Sequence, residues 1–272
     1  MSAVTEAVQT LPNTYQMAVL EQTGAPLRLQ EVLMPRELGL GLVLVKVLVS
    51  GICASQVHEI DGRKGPDPHL PHGLGHEAVG VVEQTGPGVT TVKQGDRVVL
   101  HWRVGTGIHA FPGHVQSPDG PINVGPITAL SEYTVVSENR ATLLPEGVPL
   151  KVAPLLGCAL TTGFGAVTRE ARVVPGESAV IIGFGGVGIS LLKSLQLVSS
   201  TPICVVDKDP AKVELALKLG AQTVILSSEE TASLPELVEQ KIGRKPDVVF
   251  EATGVKELIE ASISMAHQNG RA

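Results

Sequence analysis

The chain changes its hydrophobic rhythm near the middle. Between about residues 17 and 150 the apolar positions come in short runs that glycine or proline interrupts. Leu42–Val49 (LVLVKVLV), Ala78–Val82 and Arg97–Leu100 are three of these runs, with the turn signals TGPG and KQGD between them. Such runs predict a β-rich, barrel-like domain. From about residue 165 apolar strands alternate with segments of helical period. Strands are expected at Ser178–Ile182, Ile203–Val206, Thr223–Leu226 and Asp247–Phe250, and helices at Val187–Leu197, Pro210–Leu219 and Val255–His267. That alternation predicts a parallel sheet with helices on both faces. The chain thus divides into a polar extension (1–16), a β-rich domain (17–164) and an α/β domain (165–272). Only four strands precede the final Gly270-Arg271-Ala272, where a doubly wound sheet normally has six. Asp247–Phe250 would then lie on an open edge, so the expectation is a truncated or partly covered chain.

Composition narrows the function classes. A formal charge of −6 with no basic cluster argues against a nucleic-acid surface. No apolar run approaches the ~18 residues that a membrane span needs. The first 16 residues have neither a basic start nor an apolar core, so they do not read as a leader. Three cysteines in 272 residues do not make a disulfide framework. They fit a reducing, cytoplasmic setting in which thiols stay free for metal or chemistry.

Two sets of residues carry candidate chemistry. The segment GESAVIIGFGGVGIS contains Gly183-x-Gly185-x-x-Gly188 directly after an expected strand and at the start of an expected helix. In that context Gly183 allows a tight turn, Gly185 admits a pyrophosphate, and Gly188 lets helix and strand pack closely. Gly183, Gly185, Gly186, Val187 and Gly188 are therefore candidate dinucleotide-binding residues, with the helix N-terminus facing the phosphates. Asp207, 24 residues after Gly183, ends the next strand. Its carboxylate suits the ribose hydroxyls of NAD and would repel the 2′-phosphate of NADP. The plain alternative is a capping aspartate with packing glycines.

The second set is dispersed. His76 stands in GLGHEAVGVV, Cys53 in SGICASQVHEIDG and Cys158 in LLGCALTTGFGAV, each in a glycine-rich turn. Two thiolates and one imidazole would leave one position open on Zn²⁺, the pattern of a catalytic rather than a structural site. Glu77 could support that site or act as an occasional ligand. Taken singly, each of these residues reads more simply as packing. Cys204, inside a strand, is read as a core residue.

Taken in order, Gly51-Ile-Cys-Ala-Ser-Gln-Val-His58, Gly75-His-Glu77, Gly95-Asp-Arg97, Gly157-Cys-Ala-Leu-Thr-Thr-Gly163 and Gly183-Phe-Gly-Gly-Val-Gly188 resemble the zinc-dependent alcohol dehydrogenases of the medium-chain dehydrogenase/reductase superfamily. The resemblance runs from about Met17 to the C-terminus. It implies a GroES-like catalytic domain, a Rossmann coenzyme domain and a cleft between them. It also implies that Cys53, His76 and Cys158 hold the catalytic zinc, while Glu77 tunes it. Ser55 would take the substrate proton and His58 would relay it to solvent. Thr162 would lie by the nicotinamide, Asp207 and Lys212 by the adenosine ribose, and Trp102 in the substrate-pocket wall. The implied partners are NAD and a small alcohol or its aldehyde or ketone, with a homodimer or homotetramer as the assembly of a complete chain.

Departures from the family pattern are equally specific. Residues 102–130 contain no cysteine, so the four-cysteine structural zinc of many relatives cannot form there. This stretch reads as a flexible Pro/Gly loop, with His101, His109 and His114 scattered in or beside it. Ala54 removes one pyrophosphate contact. Gln56 replaces an aspartate that commonly supports the zinc-binding histidine. Two other readings stay open: a zinc-free quinone or enone reductase, and a catalytically weak nucleotide-binding protein derived from a dehydrogenase. The sequence fixes neither the substrate nor the direction of reaction.

Overall fold

A computed structural model of the chain describes residues 11–227 and 234–272. The chain forms two compact units, Met1–Cys158 and Ala159–Ala272.

The first unit contains β1 (Thr14–Leu20), β2 (Arg28–Leu33), β3 (Leu42–Ser50), α1 (Ala54–Ile60), β4 (His72–Gly73), β5 (Glu77–Thr85), β6 (Arg97–His101), β7 (His114–Ser117), β8 (Gly120–Asn123), β9 (Tyr133–Ser137) and β10 (Ala141–Leu143). They make two five-stranded sheets, β2-β1-β4-β8-β7 and β10-β6-β5-β3-β9. β3 lies between β5 and β9 in antiparallel register, which explains its nearly unbroken apolar sequence. Val43, Val45, Ala78, Val98, Leu100 and Val136 form one core of this unit. Burying each valine or leucine contributes about 1.5–3 kcal/mol.

Two expectations for this unit need correction. β1 begins at Thr14, inside the stretch read as an extension, because Thr14–Val19 pair with β2. Residues 102–130 are not simply a loop. β7 and β8 form an antiparallel hairpin turning at Pro118-Asp119, with Gly120 at φ +124° opening β8. The run Pro118-Asp119-Gly120 is a turn signal that the sequence contained and the reading passed over.

The second unit contains α2 (Ala159–Gly165), β11 (Ala179–Ile182), α3 (Gly186–Leu197), β12 (Ile203–Asp207), α4 (Pro210–Lys218), β13 (Thr223–Leu226), α5 (Leu234–Ile242), β14 (Val248–Glu251) and α6 (Lys256–Met265). All three strand pairings are parallel, and the order is β13-β12-β11-β14, which is the 3-2-1-4 portion of a doubly wound sheet. Successive residues face opposite sides. Ile181, Ile203 and Val205 pack with Leu191, Leu192 and Leu195 of α3. Val180, Ile182 and Cys204 pack with Val238 of α5 and Met265 of α6. Cys204 is a core residue, its thiol pushed up to about 12 by burial.

The second compact unit begins at Ala159. α2 belongs with α3, because a Cβ on Gly163 would come within 2.6 Å of Ser190 Cβ. Nor is the far edge of β14 bare: Val248 bridges Arg271 in parallel, with Val249 N–H donating to the Arg271 carbonyl at 2.8 Å. Among the described residues no helix is long and apolar enough to cross a membrane.

Candidate metal and dinucleotide sites

The first unit brings its dispersed candidates to one point. β3 passes into α1 through a short loop in which Gly51 N–H donates to the Glu77 carbonyl at 3.0 Å. Cys53 then sits at the N-cap of α1 in extended conformation. Gln56 Oε1 accepts the Cys53 N–H at 3.2 Å. Gln56 stands where an aspartate commonly supports the zinc-binding histidine, and among the described residues no hydrogen bond joins it to His76. The third position of a helix is where a glutamine reaches back to the N-cap amide.

His76 follows Gly75, whose φ of +104° and close approach to the backbone at Ala129 (2.7 Å from an added Cβ) admit no side chain. Cys158 follows a single 3₁₀ turn, Ala153–Gly157, and is buried. Cys53, His76 and Cys158 offer ligand atoms that all lie within 4.8 Å of one another.

The electrostatics of this cluster are those of a cation site. The Cys53 thiol is pushed down to about 3, by hydrogen bonding with Cys158 first and His76 next; burial opposes this, and Ser55 assists through its side chain and backbone. A thiol so depressed is a thiolate at neutral pH, the form that binds metal. His76 Nε2 is buried and, among the described residues, has no hydrogen-bond partner. An unpartnered imidazole nitrogen beside two sulfurs is costly without a ligand, and the S₂N donor set suits Zn²⁺.

Glu77 is buried beside this cluster. A Cβ on Gly51 would lie 2.5 Å from Glu77 Oε1, and one on Gly157 3.1 Å from Glu77 Cβ. The glycines close to both thiols are thus packed against the same residue, Gly51 at its carboxylate and Gly157 at its Cβ. Ser55 and His58 are half-buried on α1, three residues apart and so on one face.

A second group, Glu59, Asp67 and His72, is also close enough to share an ion, but it is internally bonded. His72 Nε2 lies 2.7 Å from Asp67 Oδ2, and Lys64 Nζ donates to Glu59 at 2.7 Å. The three scattered histidines do not cluster. His101 bonds to the Arg103 carbonyl and to Thr142, His109 bonds to Asn139, and His114 lies exposed on β7.

A cavity of about 560 Å³ opens at His76. Trp102, predicted as pocket wall, lines it together with Phe111, His69 and Arg140. The sequence reading missed Arg140, which nothing in SENRATLLP distinguishes from a surface arginine. Ladder pairing beside β6, Ala141 with Leu100, brings it there.

In the second unit the three glycines have three separate roles. Gly183 has φ +92°, and an added Cβ would lie 2.6 Å from Thr253 Cγ2. A Cβ on Gly188 would collide with the Gly183 carbonyl oxygen, whereas one on Gly185 would meet nothing within 4 Å. The space over Gly185 lies at the N-cap of α3, where no side chain caps the helix. The first-turn amides, those of Gly186, Val187 and Gly188, have no carbonyl partner within the helix and can meet a phosphate. Asp207 closes the loop from behind: Phe184 N–H donates to Oδ2 at 2.6 Å and Asp209 N–H to Oδ1 at 3.0 Å. Lys212 Nζ is 3.8 Å from Oδ2. Asp207 thus also holds the glycine loop, a role that the motif alone did not reveal. Thr162 is half-buried on α2.

Comparison with known proteins finds dehydrogenase relatives for both units. Residues 39–146 match the family described as Alcohol dehydrogenase GroES-like domain, and residues 185–272 match Zinc-binding dehydrogenase. An S-(hydroxymethyl)glutathione dehydrogenase of Synechocystis sp. is 32% identical over 92% of this chain and 74% of its own length. An alcohol dehydrogenase zinc-binding domain protein from Burkholderia ambifaria has a structure matching at TM-score 0.83 with 28% identity, over 94% of this chain and 75% of that one. Benzyl alcohol dehydrogenase from Acinetobacter calcoaceticus matches at TM-score 0.79 with 27% identity, over 95% and 76%.

Proposed function

From the premise that this chain belongs to the zinc-type alcohol dehydrogenases of the medium-chain dehydrogenase/reductase superfamily, we propose that it interconverts an alcohol and its aldehyde or ketone, using one catalytic zinc and NAD. The observation that carries this reading is the convergence of Cys53, Cys158 and His76, with His76 Nε2 buried and unpartnered. These three residues would hold the ion, one donor fewer than a closed structural site has. Zn²⁺ bound there supplies a Lewis acid, of the kind that lowers the pKa of water from 15.7 to about 7.

The remaining roles belong to the chain itself. Ser55 takes the proton of the substrate hydroxyl, and His58, on the same face of α1, passes it to solvent. Glu77, packed behind the Cys53 loop, tunes the donor set. Trp102 walls the substrate cavity. Gly185 and the amides of Gly186, Val187 and Gly188 bind the coenzyme pyrophosphate, Thr162 borders its nicotinamide, and Asp207 with Lys212 receives the adenosine ribose. NAD held there supplies the hydride acceptor. Asp207 favours NAD because a 2′-phosphate would meet its negative charge.

The thiolates argue against a zinc-free reductase, which has no use for two sulfur ligands. Alcohol oxidation by the zinc-loaded chain, followed as NADH absorbance with NAD⁺ and then with NADP⁺, tests the activity. Turnover with NAD⁺ that stops in Cys53→Ser supports the reading, and equal turnover in both proteins contradicts it. Light scattering reads the family-implied assembly of two or four copies.

A further inference from the structure

The cavity at His76 contains one charge that the chain leaves unanswered. Arg140 is 8% exposed, yet among the described residues its Nε has no hydrogen-bond partner. Among the described residues no carboxylate lies within ion-pair distance of its guanidinium, although twelve other pairs form. A buried cation normally has a counter-charge, because desolvation opposes its charged form, and arginine does not escape by losing its proton.

The acids nearby are already engaged. Glu138, two residues before Arg140, accepts backbone N–H groups from Thr90 at 2.6 Å, Thr91 at 2.8 Å and Ile108 at 2.7 Å. Asp67 and Glu59, which also line the cavity, are bonded to His72 and Lys64. His101 adds no negative charge: its pKa is lowered by burial first, and Arg140 acts in the same direction.

We propose that Arg140 is a specificity residue of this site, pairing with a carboxylate that the substrate carries in addition to its hydroxyl or carbonyl group. Arginine suits the task, since its planar fork meets a carboxylate through two parallel N–H···O bonds. A cavity of about 560 Å³ is large enough for a small hydroxy acid or aldehyde acid. Trp102 and Phe111 supply flat apolar walls for the portion between the two ends. This assignment rests on the alcohol dehydrogenase reading, because it names the substrate class of the same cavity.

The test compares 4-(hydroxymethyl)benzoate with benzyl alcohol, on the zinc-loaded full chain with NAD⁺, in the wild type, Arg140→Met and Arg140→Lys. The wild type should favour the acid in kcat/KM by about 10- to 100-fold, the range of a charge-assisted hydrogen bond. Arg140→Met should lose that ratio through KM, and Arg140→Lys should restore part of it. No preference in the wild type, or an equal fall on both substrates in Arg140→Met, overturns the assignment while leaving the dehydrogenase reading standing.

Benzoate and inorganic phosphate titrated calorimetrically into the same proteins give a readout that does not need turnover. Benzoate binding weakened at least about 10-fold in Arg140→Met supports carboxylate pairing at Arg140 even if no alcohol is oxidised. In that case it is the dehydrogenase reading that falls. Equal benzoate binding in wild type and variant overturns the assignment, as does phosphate binding that depends on Arg140 while benzoate binding does not.

Discussion

The two glycine-rich regions of this molecule use glycine for opposite ends. Around Cys53 and Cys158, glycine makes room for a protein group: Gly51 and Gly157 give way to the Glu77 side chain. Among the three motif glycines of Gly183–Gly188, Gly183 and Gly188 permit the backbone path and Gly185 faces open space. The first region is a filled pocket whose donors already face one another. The second is a fixed loop built around a vacancy. The contrast distinguishes glycines that protect the fold from glycines that protect a ligand, and mutation can separate them.

The largest effect belongs to the metal cluster. Cys53→Ser should remove zinc from the purified chain and lower alcohol turnover at least ~100-fold, more than loss of an outer supporting group would. Elemental analysis and initial rates check this together.

Next come the glycines. Gly188→Ala should destabilise the second unit by about 1–3 kcal/mol, because the new methyl meets the Gly183 carbonyl oxygen. Gly185→Ala should leave the melting temperature essentially unchanged, since its Cβ meets nothing, while NAD binding weakens about 10-fold. Melting curves beside NAD titrations decide between the two. If both substitutions lowered stability equally, the vacancy over Gly185 would not be a ligand space.

Glu138 gives a pH-dependent prediction. Its carboxyl is held down at about 2 by the N–H groups of Ile108, Thr90 and Thr91, against the opposing effect of burial, from an ordinary value of 4.5. A depressed acid contributes stability above its ordinary pKa and loses it as pH falls from about 4.5 toward 2. Glu138→Gln should therefore cost about 1–3 kcal/mol near neutral pH. The gap between wild-type and variant melting temperatures should narrow below pH 4.5. A gap that stayed constant to pH 2.5 would count against the carboxylate's role.

The smallest expected change is in coenzyme choice. Asp207→Ser should narrow the preference for NAD⁺ over NADP⁺ in kcat/KM by about tenfold. It should also loosen the loop held through Phe184 N–H.

The sequence made the second unit the easier half to read. Its strands alternate with helices in one contiguous stretch, and Gly183 to Asp207 carries turn, helix start and strand end together, so the motif and its context support each other. The first unit depends on contacts between distant segments. Cys53, His76 and Cys158 are meaningful together only after β3, β5 and the 3₁₀ turn have folded, and residue resemblance, rather than spacing, first linked them. The β7–β8 hairpin was legible in Pro118-Asp119-Gly120 and went unread because histidines and prolines dominate the surrounding stretch. Arg140 was not legible at all, since its burial comes from strand pairing and from a cavity wall assembled out of many segments. The same holds for Gln56, whose helical position directed it to the Cys53 amide.

The central claim is that two thiolates and one imidazole form an open zinc site. The most direct test is zinc content by elemental analysis of the purified full chain, dialysed against micromolar zinc, for the wild type and Cys53→Ser. The account predicts about one zinc per wild-type chain, the count for a lone three-ligand site, and none in the variant. A folded wild-type chain that retained no zinc, or a variant that retained as much as the wild type, would contradict it.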